Sequence, residues 1–223
     1  MQNRMQCRGI PRRAEICLSL AGLICLSPLF IALALLVKST SKGTVFFRQK
    51  RIGGGGKEFV LYKFRSMRIN SDGVKLTARN DPRLTAVGKW LRRYKLDELP
   101  QLWNVLRGEM SFVGARPEVP EYVDLKNPLW REVLAARPGI TDPVALRLRN
   151  EEQLLASVED RETFYIEILL PFKLRGWAEY GRRQTWKTDL TILLYTFRVI
   201  LLPHTAPPPT REELSFVNAD QQS

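Results

Sequence analysis

The chain has 223 residues, which is enough for one domain of ordinary size with an additional segment, or for two small domains. Its formal net charge of +12 indicates an anionic partner. Nucleic acid, an anionic membrane surface and phosphorylated substrates all satisfy that charge. A single histidine, His204, and the lack of a CxxC pair argue against a zinc site and against a Ser-His or Cys-His catalytic pair. All three cysteines lie within the first 25 residues, which excludes a disulfide framework and favours a reducing cytoplasm.

An apolar run near the N-terminus predicts a membrane segment. Residues 16–37 carry no charge over 22 positions. At 1.5 Å per residue such a helix is roughly 33 Å long, enough to cross a bilayer. The run is long for a secretory signal, and no small-x-small cleavage site follows it.

A Ser27-Pro28 pair lies in the middle of this run. Proline lacks an N–H and clashes with the carbonyl four residues earlier, so a helix bends or breaks there, and Ser27 can bond a freed backbone group. Basic residues flank both ends, whereas a spanning helix should favour one end. We therefore predict a re-entrant helix that enters and leaves on one membrane face, with a kinked single span as the alternative. The flanking cations are Arg12, Arg13, Lys38, Lys42 and Arg48.

Two β-rich runs, 44–51 and 57–64, predict a hairpin joined by the glycines of 53–56. Four glycines could also cradle a phosphate, but no Gly-Lys-Ser/Thr follows them. After a polar loop, Asp81-Pro82 is predicted to open a helix that runs through Trp90 and Tyr94, with an apolar face and a basic face. That pattern is typical of membrane-surface contact or of a solvated helix.

The central stretch 96–108, LDELPQLWNVLRG, sets two adjacent carboxylates at a predicted helix start. Asp97 suits an N-cap, Pro100 is tolerated in a first turn, and Gly108 is a stop signal. A helix start carries free N–H groups and a positive dipole end, so the carboxylate should stay ionised. It could cap the helix only, hold a divalent cation, or attack an electrophile. Cations surround the pair, which favours a phosphate-bearing substrate: Lys89, Arg92, Arg93, Lys95, Arg107 and Arg116.

Two Gly- and Pro-bearing turns follow, 111–118 with Arg116 and 137–142 with Arg137. Residues 151–175 and 187–202 are predicted helices, the second packed in the core or at a membrane interface. From residue 203 the tail is Pro-rich and then polar, and we predict it to be disordered.

Three stretches of this sequence are long and unusual: SKGTVFFRQKRIG with YKFRSM, then DPRLTAVGKWLRRYKLDELPQLWNVLRGEMSFVGARPE, then RPGIT. Together they resemble the bacterial monotopic phosphoglycosyl transferases, the sugar transferases that begin undecaprenyl-linked glycan assembly. The resemblance covers roughly residues 10–200. The short form, with one N-terminal membrane segment, is similar to the minimal catalytic type.

The resemblance implies that a sugar-1-phosphate passes from a UDP-sugar to undecaprenyl phosphate while UMP leaves. It assigns Asp97 as the nucleophile that attacks the β-phosphorus and forms a covalent phosphosugar intermediate. Glu98 would assist with the metal or in activating the polyprenyl phosphate. Mg²⁺ is the implied cofactor, held by Asp97 and the diphosphate. Ser27-Pro28 matches the pair that makes the family's membrane helix re-entrant.

The resemblance also implies substrate contacts for arginines. Arg92 matches a position that engages lipid phosphate, and Arg116 matches the arginine of a turn associated with the nucleotide. Arg65, in YKFRSM, and Arg137, in RPGIT, are predicted to bind substrate as well. One departure is Ala115, where the family usually has proline before the arginine.

These observations predict an α+β, mostly helical, monotopic membrane protein with a re-entrant helix, a small β-hairpin and amphipathic interfacial helices. Residues 1–38 would form the membrane segment, 39–202 the catalytic domain and 203–223 the tail. Anionic lipids are expected partners at the cytoplasmic face of a bacterial inner membrane, with no nucleic acid and an undetermined oligomeric state. The alternatives are a metal-dependent glycosyltransferase, for which no Asp-x-Asp is present, and a basic membrane-anchored binding protein.

Overall fold

The computed structural model describes residues 9–40, 42–68, 81–202, 205, 207–210 and 213–214. Helices dominate, and the strands form two small two-stranded sheets, in agreement with the predicted α+β class.

The N-terminal apolar run forms two helices, α1 (Arg12–Cys25) and α2 (Ser27–Thr40), bent by 60°. The break lies at Leu26, and the Ser27 hydroxyl donates to the Ile24 carbonyl at 2.8 Å, as its sequence position suggested. Pro28 falls in the first turn of α2, where its missing N–H costs nothing. Within the described residues no single helix is long and apolar enough to cross a membrane, whereas the bent pair together meets the criteria of length and composition.

Strands β1 (Phe46–Ile52) and β2 (Glu58–Phe64) form the predicted antiparallel hairpin. Phe46 pairs with Phe64 at its open end, and Ile52 pairs with Glu58 beside the glycine turn. Gly55 and Gly56 have φ angles of 70° and 73°, a conformation that favours glycine. The open end packs against α2, because Phe64 shares a buried cluster with Leu33 and Val37.

The helix after the polar loop, α3 (Ala86–Arg93), begins later than the predicted Asp81-Pro82 start. Thr85 caps it by accepting from the Gly88 N–H at 2.9 Å, while Asp81 accepts from the N–H of Arg83 in a local turn. A Cβ at Gly88 would lie 1.9 Å from the Ser66 carbonyl oxygen. The glycine therefore lets α3 rest directly on the chain that leaves β2.

The central stretch also starts its helix later than predicted. Residues Leu96–Glu98 form a 3₁₀ turn, and α4 (Gln101–Arg107) begins only after Pro100. The prediction that Asp97 is the N-cap is therefore wrong. A left-handed Lys95, with φ of 57°, separates this turn from α3. Gly108, with φ of 81°, ends α4 as predicted.

The two Gly- and Pro-bearing turns contain a short parallel pair that the sequence pattern did not predict, β3 (Ser111–Val113) and β4 (Gly139–Thr141). Three-residue strands show too little alternation to be recognised. A Cβ at Gly139 would lie 2.1 Å from the Gly114 nitrogen, so the two loops meet backbone to backbone.

The C-terminal half is helical, but the predicted single helix over 151–175 is wrong. Asp160 caps a new helix by accepting from the Thr163 N–H at 3.0 Å, which interrupts the run. The last helix, Trp186–Leu201, agrees with the prediction for 187–202 to within one residue. The helices are α5 (Pro128–Val133), α6 (Pro143–Arg147), α7 (Glu151–Ala156), α8 (Arg161–Phe164), a π-helical turn (Tyr165–Leu169), α9 (Leu170–Arg183) and α10 (Trp186–Leu201).

The largest buried cluster lies among α5, α6 and α9, around Trp130, Leu169 and Trp177. Leu214 of the tail packs into it. Most of the tail that was predicted to be disordered lies outside the described residues.

Candidate active site

Asp97 and Glu98 lie side by side in the 3₁₀ turn before α4, and both are buried, with exposures of 5% and 7%. The turn packs between β2 and α3. Burying adjacent carboxylates is costly unless each finds a partner or a proton. Their surroundings differ, and the difference separates their roles.

Glu98 is held by two cations. Its Oε1 accepts from the Arg116 Nη2 at 2.8 Å and from the Lys63 Nζ at 3.1 Å. Burial by itself would raise the pKa of Glu98, but Arg116, Lys63 and Lys95 together hold this pKa well below its ordinary value. Glu98 is therefore ionised, and its Oε1 is already hydrogen-bonded to two cations.

Asp97 has the opposite surroundings. Its Oδ1 is buried and accepts no hydrogen bond within the part of the chain that the structure describes. Burial, then the charge of Glu98, raises the pKa of Asp97, and Lys63, Lys95 and Arg92 oppose this rise. The expectation that a helix start holds the Asp97 pKa down is wrong, because α4 begins four residues later. Asp97 thus carries a buried oxygen, Oδ1, that accepts no hydrogen bond from the described residues.

Arg92, on α3, lies close enough for its charge to act on Asp97. Its Nε donates to the Ser66 Oγ at 3.0 Å, and its Nη1 donates to the Glu152 Oε1 at 2.6 Å. The structure therefore groups Arg92 and Arg116 around the two adjacent carboxylates, although Arg116 follows Glu98 by 18 residues.

The other two predicted substrate-binding arginines have different surroundings. Arg65 is buried where β2 ends, and its backbone N–H donates to the Val45 carbonyl at 2.9 Å. Arg137 pairs with the fully buried Glu15 of α1 at 2.8 Å and donates to the Met110 carbonyl at 3.2 Å. The Arg137 guanidinium thus links α1 to the loop before β3. Substrate contact by either arginine stays a prediction.

Comparison with known proteins places the chain in a family. The family model described as bacterial sugar transferase matches residues 7–203. The chain belongs to this family.

Three relatives of this sugar transferase illustrate the match. The UDP-glucose:undecaprenyl-phosphate glucose-1-phosphate transferase of Xanthomonas campestris pv. campestris is 36% identical over 85% of this chain and 38% of its own length. The protein of the same name from Klebsiella pneumoniae is 41% identical over 75% of this chain and 36% of its own length. The exopolysaccharide production protein ExoY of Sinorhizobium fredii is 37% identical over 71% of this chain and 78% of its own length. The chain thus spans little more than a third of the first two relatives.

Ala115 precedes Arg116, at the position where the resemblance predicts proline. The Ala115 carbonyl accepts from the Gly139 N–H at 2.9 Å, and its side chain packs against the main core cluster. These contacts restrain the turn that presents Arg116. They offset the greater backbone freedom that alanine has compared with proline.

Lys63 is a site residue that the sequence reasoning missed. It continues the alternation of the buried Phe59 and Leu61 along β2, which was a usable signal for an inward position. Burial lowers the pKa of Lys63 to about 8, although Glu98 partly opposes this. Lys63 remains mostly charged at neutral pH and shares Glu98 with Arg116.

The donor set fits Mg²⁺ only together with a substrate. No group of three His, Cys, Asp or Glu side chains in the described residues could hold a metal ion. The Asp97 Oδ1 is uncommitted, whereas the Glu98 Oε1 already accepts from two cations. Mg²⁺ is commonly bound through one or two carboxylates plus substrate phosphates. Asp97 fits such a site if the diphosphate supplies further oxygens.

Arg116→Gln should lower the free energy of unfolding by about 2 kcal/mol at neutral pH, because Glu98 keeps only Lys63 as a hydrogen-bonding cation. The pKa of Glu98 is depressed in the folded protein, so its stabilising effect exists above the ordinary glutamate pKa and is lost as pH falls through the folded pKa. The difference between variant and wild type should therefore shrink below about pH 4.

Chemical unfolding in mild detergent, from neutral to acidic pH, measures this difference. The control is Arg107→Gln, which removes the more exposed pair between Arg107 and Glu109 and should cost less than about 1 kcal/mol. A loss for Arg116→Gln that stays constant down to the lowest pH would contradict the assigned charge pair.

Proposed function

We propose that this sugar transferase moves a sugar-1-phosphate from a UDP-sugar to undecaprenyl phosphate and releases UMP. The observation that carries the proposal is the buried Asp97 Oδ1, which accepts no hydrogen bond from the described residues, beside a Glu98 whose Oε1 accepts from two cations. The names of the Xanthomonas and Klebsiella relatives support the substrate classes.

In the first step the Asp97 carboxylate attacks the β-phosphorus of the UDP-sugar. A bond forms between this oxygen and phosphorus, and the bond between the β-phosphorus and the bridging oxygen breaks, so that UMP leaves with that electron pair. The product is an aspartyl phosphosugar. The raised Asp97 pKa reflects a carboxylate that is poorly solvated, and such an anion is a stronger nucleophile than a hydrated one.

In the second step an oxygen of undecaprenyl phosphate attacks the same phosphorus and displaces the Asp97 carboxylate. Arg92, whose charge acts on Asp97, would hold the acceptor phosphate, while Arg116 and Lys63 hold Glu98, the neighbour of Asp97. In the first step, Asp97 and the substrate diphosphate would hold Mg²⁺, which would supply charge neutralisation to the transferring phosphoryl group. A covalent intermediate of this kind predicts ping-pong kinetics.

The lipid acceptor requires a site at the membrane surface, because its phosphate stays at the headgroup level. We infer that α1 and α2 form a re-entrant segment that holds the catalytic part on the cytoplasmic face of a bacterial inner membrane. The 60° bend and the joint apolar length of the two helices support this inference.

A panel of UDP-sugars with the purified protein in lipid, Mg²⁺ and undecaprenyl phosphate tests the function through UMP release. At least one sugar should give UMP together with a lipid-linked phosphosugar and, without acceptor, a protein adduct of one phosphosugar. Salt-sensitive retention of nucleic acid, with no UMP from any sugar, would overturn the proposal in favour of a binding protein.

Pro28→Ala should join α1 and α2 into one continuous helix that spans the membrane. The change restores an N–H and removes a ring that costs about 3 kcal/mol in a helix interior. Labelling of a single cysteine placed before Arg12, from each side of inverted vesicles, measures the position of the N-terminus. Pro128→Ala, in the first turn of α5, is the matched control. An N-terminus that stays on the cytoplasmic side in Pro28→Ala would contradict this prediction.

A further inference from the structure

A buried polar cluster adjoins the turn that presents Arg116. Glu118 lies at its centre, and the Glu118 Oε1 accepts from the Tyr165 hydroxyl at 2.6 Å. The Tyr165 oxygen accepts in turn from the Lys173 Nζ at 3.1 Å, and Lys173 also donates to the Glu151 Oε1 at 2.8 Å. Burying so many polar groups is costly unless each has partners, and here the groups satisfy one another.

The cluster also holds the backbone that follows Arg116. The Pro117 carbonyl accepts from the Arg51 Nη1 at 3.0 Å. The Glu118 carbonyl accepts from the Ile52 N–H at 2.9 Å, and the Glu118 carboxylate pairs with Arg51 at 3.6 Å. These contacts tie the two residues after Arg116 to the end of β1. A change in the position of Glu118 would therefore pass to Arg116 through a restrained backbone.

Tyr165 makes the closest contact with the Glu118 carboxylate among the described residues. The Arg51 and Lys173 nitrogens lie 3.6 and 3.7 Å from this carboxylate, too far for a hydrogen bond. Burial, then the charge of Glu118, raises the pKa of Tyr165 well above its ordinary value, so the hydroxyl keeps its proton and donates. Tyr165 also begins a π-helical turn, a rare conformation that is frequent at functional sites. The hydroxyl thus fixes where the Glu118 carboxylate lies.

We propose that Tyr165 is a positioning residue of this sugar transferase, which orients Arg116 through Glu118. The Tyr165 hydroxyl contacts Glu118 and Lys173 rather than the catalytic carboxylates, so it acts on the reaction through Arg116, which holds Glu98 at 2.8 Å. The effect on turnover rests on the proposed function, whereas the effect on the pair of Arg116 and Glu98 depends on none of its chemistry.

Tyr165→Phe tests this role in the full chain, because it removes the hydroxyl and keeps the ring that packs on Tyr122. Tyr180→Phe is the matched control: the Tyr180 hydroxyl also donates to a buried carboxylate, that of Asp189, at 2.6 Å. Both variants should lower the melting temperature by similar amounts. At saturating UDP-sugar, Tyr165→Phe should slow UMP release about ten-fold, while Tyr180→Phe should stay close to the wild type.

Arg116→Gln provides the readout that a merely structural role would not move. In that background Tyr165→Phe should slow UMP release little further, because the route through Arg116 is already lost. Chemical unfolding at neutral pH gives a second readout that needs no activity. The stability lost on Arg116→Gln should be at most about half as large in protein that carries Tyr165→Phe as in the wild type, and undiminished in protein that carries Tyr180→Phe.

Equal stability losses from Arg116→Gln with and without Tyr165→Phe would overturn the positioning role. Rates of UMP release that are the same in Tyr165→Phe and Tyr180→Phe would overturn it too, and UMP release by the wild type would leave the proposed function intact in either case. A halved stability loss in a protein that releases no UMP from any sugar would support the positioning of Arg116 while the proposed function fails.

Discussion

Asp97→Asn should abolish UMP release and the phosphosugar adduct, with a loss of roughly a thousand-fold or more in turnover. An amide oxygen is a far poorer nucleophile than a carboxylate, and Asp97 carries the uncommitted oxygen of the buried pair. We do not expect Glu98 to replace it, because Arg116 and Lys63 hold the Glu98 carboxylate in place through its Oε1. Mass spectrometry of the intact protein after incubation with UDP-sugar, together with UMP release, measures the effect.

The same substitution should leave the fold as stable or more stable at neutral pH. The folded-state pKa of Asp97 is raised, so the folded protein holds this proton more tightly than the unfolded chain, and stability is lost as pH rises through the folded pKa. Asparagine carries no charge and therefore removes that penalty, a common trade between stability and function. A stable Asp97→Asn that keeps near-full turnover would contradict the role of Asp97 while leaving family membership intact.

Glu15→Gln should lower the free energy of unfolding by about 3 kcal/mol, or the melting temperature by about 6–12 °C. Glu15 is fully buried on α1 and pairs with Arg137 at 2.8 Å and Arg12 at 3.3 Å, and it also accepts from the Ser111 hydroxyl. Removing its charge leaves two arginines without their carboxylate. Thermal unfolding in detergent measures the change.

The effect should reach the site, because this cluster connects α1 to α4, the helix that follows Asp97. Arg12 donates to the Val105 carbonyl at 2.6 Å and to the Leu106 carbonyl at 2.8 Å, at the end of α4. Glu15 thereby holds α1 and α4 in one arrangement. We expect Glu15→Gln, measured below its melting temperature, to lose transfer to undecaprenyl phosphate more than adduct formation with the soluble UDP-sugar.

The matched control for this cluster is Glu179→Gln, which removes an exposed pair with Arg183 at 2.9 Å and should change stability by less than about 1 kcal/mol. Arg137→Gln and the double variant complete a cycle, in which the two single losses should not add. If Glu15→Gln melted within the range of the control, the buried cluster would not hold α1 against α4.

Local patterns determined a large part of this fold. The apolar run with its proline, the hairpin around four glycines and the stop at Gly108 were all predicted, because each depends on backbone preferences of neighbouring residues. The stretch LDELPQLWNVLRG also located the carboxylate pair, and the match of the family model to residues 7–203 agrees with the resemblance that these motifs suggested.

Only the tertiary structure decided which carboxylate is free and which is paired. Asp97 and Glu98 are neighbours in the sequence, yet among the described residues Lys63 and Arg116 donate hydrogen bonds to Glu98 and not to Asp97, and burial raises the pKa of Asp97. In the same way, Glu15 is one acidic residue among basic ones in the sequence. Its partner Arg137 lies more than a hundred positions away, so local spacing does not reveal the pair. Charge in a protein interior depends on distance and desolvation, and these follow from packing between segments rather than from sequence spacing.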